Sequence, residues 1–313
     1  MKITAIIIAL NEAEFIQPCV KAVYPFVDAI KIQTNYDCMF SSKKVEPDST
    51  IDKILEIPDS DGKISIFIHR MPDEAITRNW MMRNDGYCIN HAHNSTTSSQ
   101  ERIEKFCKTS DYFWIIDSDE IYDPKTIPAI LEYLSHKKPN FLKIKGINYF
   151  KTWNYRVFPP ENFFQVGFIR PGCLFRENRN ICLPSWYSLL RRLIFNKYLK
   201  VVDKSFLLML DTITSGIRLL PEEIGVFHHG SYVGSDERIF KKITSSGHYN
   251  DNFLTWYNEV WKCWTPESKN LHPLYPENYA GVQYIPTDDL PILITKEAWP
   301  NGYIERSMLS NTR

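Results

Sequence analysis

Residues 3–16 read "ITAIIIALNEAEFI". Apart from Thr4, every position from Ile3 to Leu10 is apolar, so the segment has no face to give to water. A central parallel strand covered by helices on both sides has this character. The apolar run ends in "NEAE" with no small-residue cleavage site, which sets it apart from a secretion leader. Asn11 and Glu12 then stand at the carboxyl end of the strand. A helix is predicted through "FIQPCVKAV", with Pro18 tolerated in its first turn and Phe15, Cys19 and Val23 facing the sheet. "DAIKIQT" (28–34) reads as a second strand, "TIDKILEI" (50–57) as a short helix and "KISIFIH" (63–69) as a third strand. This alternation is a doubly wound beginning, and open parallel sheets bind ligands at the carboxyl ends of their strands.

Composition narrows the ligand. Thirty-seven basic and thirty-seven acidic side chains in 313 residues cancel, so no overall field draws the chain to nucleic acid. The seven cysteines are scattered and never form a CxxC pair, which favours a reducing, cytoplasmic location over a disulfide scaffold or zinc site. No stretch approaches the roughly 20 apolar residues of a membrane span. Glycine-rich phosphate loops are missing as well: there is no GxGxxG after the first strand and no GxxxxGK[ST]. If this sheet holds a nucleotide, side chains and a cation must hold the phosphates.

"YFWIIDSDEIYDP" (112–124) supplies such side chains. Asp117 and Asp119 lie two apart after an apolar strand, point to one side and repel each other unless a cation or proton intervenes. A hard divalent ion with oxygen ligands meets that need. Asp123, just before Pro124, reads instead as an acidic cap on a following helix.

Together, "IIIALNEAEFI", the Arg-Asn pair of "AITRNW" (75–80), "DYFWIIDSDEIYDP" (111–124) and "FHHGSYVGSDERIFKKITSSGH" (227–248) resemble the GT-A-fold glycosyltransferases of the family 2 type, which use nucleoside diphosphate sugars. The resemblance implies an α/β fold with an open, mostly parallel twisted sheet flanked by helices. A catalytic domain is expected at 1–234, divided into a nucleotide-sugar half (1–125) and an acceptor half (126–234), and the caps and prolines that follow predict a helical, proline-rich extension (235–313) packed on the same domain. The resemblance also implies Mn2+ or Mg2+ as cofactor, a nucleoside diphosphate sugar donor and a glycan or lipid-linked acceptor. Inverting transfer to an acceptor hydroxyl, in surface glycan or polysaccharide synthesis, is the corresponding activity.

Carried onto this sequence, the family pattern puts Ala9, Asn11, Glu12, Thr34 and Asn35 around the nucleoside. "IQTNYD" departs there from the usual aspartate. Arg78, with Asn79, approaches the nucleotide, and Arg83 with Asn84 is the rival pair. Asp117 meets the ribose or the metal, Asp119 binds the metal, and His229 completes its shell, with His228 as alternative. Glu161, Glu222 and Glu223 are candidate bases for the acceptor. Trp153, Tyr155 and Phe158 could face a sugar ring, or pack in the core. Residues 185–213 predict a basic amphipathic helix that could lie on an anionic membrane or pack on the protein itself. Two other activities fit parts of the pattern: a phosphatase of the haloacid dehalogenase type with Asp117 as nucleophile and "TDDL" (287–290) in support, and a non-catalytic sugar-binding module.

Overall fold

The computed structural model describes residues 1–35, 47–68, 73–83, 110–175, 179, 182–184, 216–245 and 252–291. Its main sheet begins with four parallel strands: β1 (Ile3–Ile8), β2 (Ala29–Thr34), β3 (Ile64–Ile68) and β4 (Tyr112–Asp117). They lie in the order β3-β2-β1-β4, with β1 at the centre of the parallel part. Between them run α1 (Ile16–Val23), α2 (Thr50–Leu55) and α3 (Glu74–Arg83). The lack of a polar face on β1 is explained by what covers it. Ala5 and Ile7 belong to a core shared with Phe15, Cys19 and Val23 of the α1 region, whereas Ile6 joins Phe67, Met81 and Ile115 on the other face.

Beyond β4 the sheet becomes mixed. After a two-residue turn come β5 (Glu120–Tyr122), α4 (Ile127–Lys137) and the long β6 (Phe141–Phe158). β7 (Phe164–Ile169) runs antiparallel to both β4 and β6. β8 (Cys173–Phe175) and β9 (Cys182–Pro184) form a separate hairpin, and β10 (Ile217–Leu219) pairs parallel with the start of β6. β11 (Phe227–Val233) lies parallel to the middle of β6 and antiparallel to β5. The architecture is the open, mostly parallel, helix-flanked α/β sheet anticipated from the sequence. Asp123 caps differently from expectation: its carboxylate accepts the Lys125 N–H at 3.0 Å, and α4 starts only at Ile127.

The C-terminal extension is helical and then extended. α5 (Asp236–Ser245) begins with Ser235 Oγ accepting the Arg238 N–H at 3.1 Å and with Asp236 and Glu237 in its first turn, both favourable at a helix N-terminus. α6 (Asn252–Trp256) runs into a π-helical turn, Tyr257–Trp261. The stripe of Phe253, Tyr257 and Trp261 packs with Phe150, Leu271 and Tyr279 into a third core. β12 (Gly281–Tyr284) closes the arm by pairing antiparallel with the end of β6. Of the aromatic residues considered for a sugar face, Trp153 and Tyr155 are core residues and Phe158 is 51% exposed. The predicted helix at 185–213 lies outside the described residues, as do Asn84 and the Arg83 side chain. No described helix is long and apolar enough to cross a membrane.

Candidate functional site

The carboxyl ends of β1, β2 and β4 open on one edge of the sheet. β4 delivers Asp117 at its last position, and the turn into β5 delivers Asp119. The two carboxylates find different partners. Asp117 Oδ1 accepts from Arg78 Nη2 at 2.6 Å and Oδ2 from Arg179 Nη1 at 3.1 Å. Burial would raise its pKa, but the two guanidinium groups bring it below the usual value. Arg78 also pairs with Glu74, one helical turn earlier. Arg179 further binds Glu120 and the carbonyls of Ile115 and Val166, which fixes it beneath the strand end. Burial, with Asp117 and Asp119 close by, pushes Glu120 up to about 8 against the pull of Arg179.

Asp119 is 5% exposed and faces two other groups. Its Oδ2 accepts from Lys242 Nζ of α5 at 2.8 Å, and its Oδ1 lies 3.7 Å from His229 Nε2. Burial opposes ionisation of Asp119, yet the Lys242 ammonium foremost holds its carboxyl well below the ordinary range. The second contact is not an ion pair. Burial lowers the pKa of His229 despite the neighbouring carboxylate, so at neutral pH the ring is uncharged.

The tautomer of His229 follows from its other nitrogen. Nδ1 lies 2.7 Å from Asn148 Oδ1, while Asn148 Nδ2 donates to Glu161 Oε2 at 2.7 Å. Asn148 therefore presents an acceptor to the ring, Nδ1 carries the proton, and the Nε2 lone pair faces Asp119. A lone pair and a carboxylate oxygen 3.7 Å apart share no proton, which is an arrangement two ligands of one cation adopt. The register makes this a property of the sheet, since His229 sits opposite Asn148 on β6 and Glu120 on β5. Phe163 stacks on the ring at 5.3 Å between centroids. His228 is directed elsewhere: its Nδ1 pairs with Tyr149 Oη at 2.8 Å, and burial lowers its pKa to about 3.

On the β1 and β2 side, Asn11 has a positive φ of 53° and accepts the Asp48 N–H through Oδ1. Among the described residues, Asn11 Nδ2 and Thr34 Oγ1 are buried without a hydrogen-bond partner at two neighbouring strand ends. Unsatisfied buried donors and acceptors are costly, and their gathering at a sheet edge suits a polar ligand. Ala9 is buried and Asn35 ends the described part of this loop. Glu12 is held by Arg238 Nη2 at 2.7 Å and Lys242 Nζ at 2.6 Å. A cavity of about 240 Å³ opens beside it, lined in part by Asn11, Asp48, Ser235, Arg238 and Lys241.

The structure thus brings Glu12, Arg78, Asp117, Asp119 and His229 into one charged cluster and keeps other candidates out of it. Asn79 exchanges two hydrogen bonds with the Phe175 backbone, at 2.7 and 2.8 Å, and holds the β8 hairpin. Glu222 pairs with Lys145 at the surface, and Glu223 is exposed. Glu161 reaches the cluster indirectly, through Asn148 and His229; its pKa is raised by burial. Among the described residues, no group of three or more His, Cys, Asp or Glu side chains stands as a ready metal cage. The set Asp117, Asp119 and His229 is reduced by the two arginines on Asp117, leaving Asp119 and His229 to face a cation. A magnesium or manganese ion needs only one or two protein ligands when phosphates and water fill the other positions, so these two residues fit such an ion.

Sequence reasoning missed Arg179, Arg238, Lys242 and Asn148. Lys242 lies inside the quoted "KKI", yet its neighbour Lys241 pairs with Glu237 one turn away and reads identically in the sequence. Only the helical phase of α5 separates them.

No family model and no curated protein matches the sequence. Comparison of structures finds similarity, at low sequence identity, to solved glycosyltransferase structures. The TarS structure of S. aureus (residues 1–349) in complex with UDP-GlcNAc is 14% identical with a TM-score of 0.30, over 47% of this chain and 35% of that one. TarS 1–349 without that ligand is 12% identical with a TM-score of 0.36, over 77% and 63%. Glucosyl-3-phosphoglycerate synthase from Mycobacterium tuberculosis, in complex with Mn2+, UDP and phosphoglyceric acid, is 16% identical with a TM-score of 0.29, over 47% and 43%. The matched part spans less than two thirds of each of these relatives.

Proposed function

We propose that this protein is a metal-assisted glycosyltransferase that moves a sugar from a nucleoside diphosphate donor to an acceptor hydroxyl. The observation that carries the reading is the geometry of His229, whose Nδ1 is held by Asn148 so that Nε2 is turned to Asp119 across 3.7 Å at the carboxyl edge of the sheet. Asp119 and His229 would hold Mn2+ or Mg2+. The ion, when bound, offsets the charge that grows on the departing diphosphate. Asn148, backed by Glu161, keeps the imidazole in the tautomer that offers Nε2.

Around the ion the other residues bind and orient. Asn11 Nδ2 and Thr34 Oγ1, without partners among the described residues, would supply hydrogen bonds to the nucleoside, and Ala9 and Asn35 border the same edge. Asp117 holds Arg78 and Arg179 against the strand end, and Arg78 would approach the nucleotide from there, with Arg179 fixed beneath it. In an inverting reaction a carboxylate must take the proton of the acceptor hydroxyl. Glu161 is the candidate linked to the site, and its burial-raised pKa suits a base better than the exposed Glu222 or Glu223. A glycan or lipid-linked acceptor, a role in surface glycan synthesis and a cytoplasmic location with peripheral membrane contact complete this reading. The phosphatase reading is disfavoured because both oxygens of Asp117 are occupied by guanidinium groups, which weakens a nucleophile.

A thermal-shift screen of UDP, GDP, ADP, CDP and TDP, each with and without Mn2+, tests the proposal. One nucleotide should stabilise the protein only with the ion present, and Asp119→Ala should remove that dependence. A full metal-dependent shift in Asp119→Ala would defeat the assignment.

A further inference from the structure

Lys242 occupies a position that the proposed chemistry leaves unexplained. Its Nζ lies 2.6 Å from Glu12 Oε1 and 2.8 Å from Asp119 Oδ2, so one ammonium bridges the loop after β1 and the turn after β4. The oxygen it holds belongs to the same carboxylate whose other oxygen faces His229. A divalent ion between Asp119 and His229 and an ammonium on Asp119 would therefore share one carboxylate at close range, where like charges repel strongly.

Two neighbouring cations differ in how firmly they are fixed. Arg238 is 5% exposed, lies 3.9 Å over the Phe15 ring and donates to the Val233 carbonyl at 2.5 Å as well as to Glu12. The Lys242 side chain keeps 25% of its surface exposed and, among the described residues, is tied only through the tip of a flexible stem. If Lys242 leaves, Glu12 still has Arg238. Asp119 has no second ammonium or guanidinium at ion-pair distance among the described residues, and would need the metal.

Resting on the glycosyltransferase reading above, we propose that Lys242 is a resident counter-cation of the donor site. In the empty protein it holds Asp119 to Glu12 and opposes entry of a divalent ion. When a nucleoside diphosphate arrives, the ammonium turns to the diphosphate and frees Asp119 for the metal. Ion and nucleotide consequently bind as a unit, and the ion alone binds weakly. Lys242 is a positioning residue for the ion and a direct contact for the diphosphate.

The test reads binding, not turnover. Free Mn2+ is followed by electron paramagnetic resonance during titration of the wild type, Lys242→Met and Lys242→Arg, without nucleotide. Removing the charge should tighten Mn2+ binding roughly tenfold or more, whereas Lys242→Arg should bind it as weakly as the wild type. Adding Asp119→Asn to Lys242→Met should abolish the gain. In the presence of Mn2+, each of UDP, GDP, ADP, CDP and TDP that binds the wild type should bind Lys242→Met at least about tenfold more weakly. Equal or weaker Mn2+ binding by Lys242→Met would overturn the inference while leaving the metal reading intact, provided the wild type binds Mn2+ with a nucleotide. If no protein binds Mn2+ under any of these conditions, both fall. Should Lys242→Met not fold, Lys242→Gln, which keeps hydrogen-bond donors and loses only the charge, serves in the same titration.

Discussion

His229 and Asn148 form a registered pair on adjacent strands, and Glu161 holds the pair from behind. Outer partners of this kind fix the ring and its tautomer, so Asn148→Ala should weaken Mn2+ binding in the presence of nucleotide by about 10- to 100-fold. Isothermal titration of that variant provides the check; unchanged affinity would mean that the ring needs no support. The adjacent His228 gives a pH signature. Its pKa of about 3 lies below the ordinary 6.5, so the unfolded chain takes up a proton in a range where the folded chain does not. Stability is therefore lost as pH falls from 6.5 towards 3, by up to about 1.4 kcal/mol per unit from this residue. Denaturant titrations at pH 7, 6, 5 and 4 should show a shallower fall in His228→Phe than in the wild type. Such pairings explain what the sequence could convey at this scale. Two aspartates after an apolar strand announce a need for positive charge, but whether Arg78, Arg179 or Lys242 reaches them depends on which segments the fold makes neighbours, and no local spacing encodes that.

At the scale of elements, β11 is the piece that assembles the site, because it places His229 between β6 and β5 and binds the turn that carries Asp119 through its backbone. Gly230 N–H donates to the Asp119 carbonyl at 2.9 Å. A Cβ on Gly230 would stand 2.4 Å from the Phe15 ring and 2.7 Å from Trp153, both rigid and buried. Gly230→Ala should consequently cost about 1–3 kcal/mol and shift the His229 to Asp119 spacing. Urea unfolding measures the first effect, and loss of the Mn2+-dependent thermal shift beyond the loss of stability measures the second. β1, α1, β2 and β3 were legible in the sequence because apolar periodicity and covering helices state the same thing twice. β6 was harder to read. It is one strand of 18 residues that serves four partners in succession, β10 and β7, then β11, then β12. Its polarity changes with each partner, so no single alternation runs through it.

The whole molecule joins these parts through its third core, since α5 brings both Arg238 and Lys242 to Glu12 and is itself held from the C-terminal side. Trp261 is fully buried in that core; its Nε1 donates to Asp236 Oδ1 at 2.7 Å, and Lys151 Nζ lies 3.8 Å over its ring. Phe150 of β6 packs against it at 5.3 Å between centroids, which ties the extension to the strand that also carries Asn148. If the extension were only a stabilising wrap, weakening it would lower stability and leave the cluster intact. Because α5 starts at Asp236, loosening the Trp261 contact should also release the helix that carries Lys242. Trp261→Ala is expected to cost about 3–5 kcal/mol, read as a lower urea midpoint with an unchanged slope. By the same coupling it should move Mn2+ binding without nucleotide towards the tighter value expected for Lys242→Met. Trp261→Phe, which keeps most of the packing and loses the bond to Asp236, should fall between the two. Loss of stability with no change in Mn2+ binding would show that the third core and the charged cluster are energetically separate.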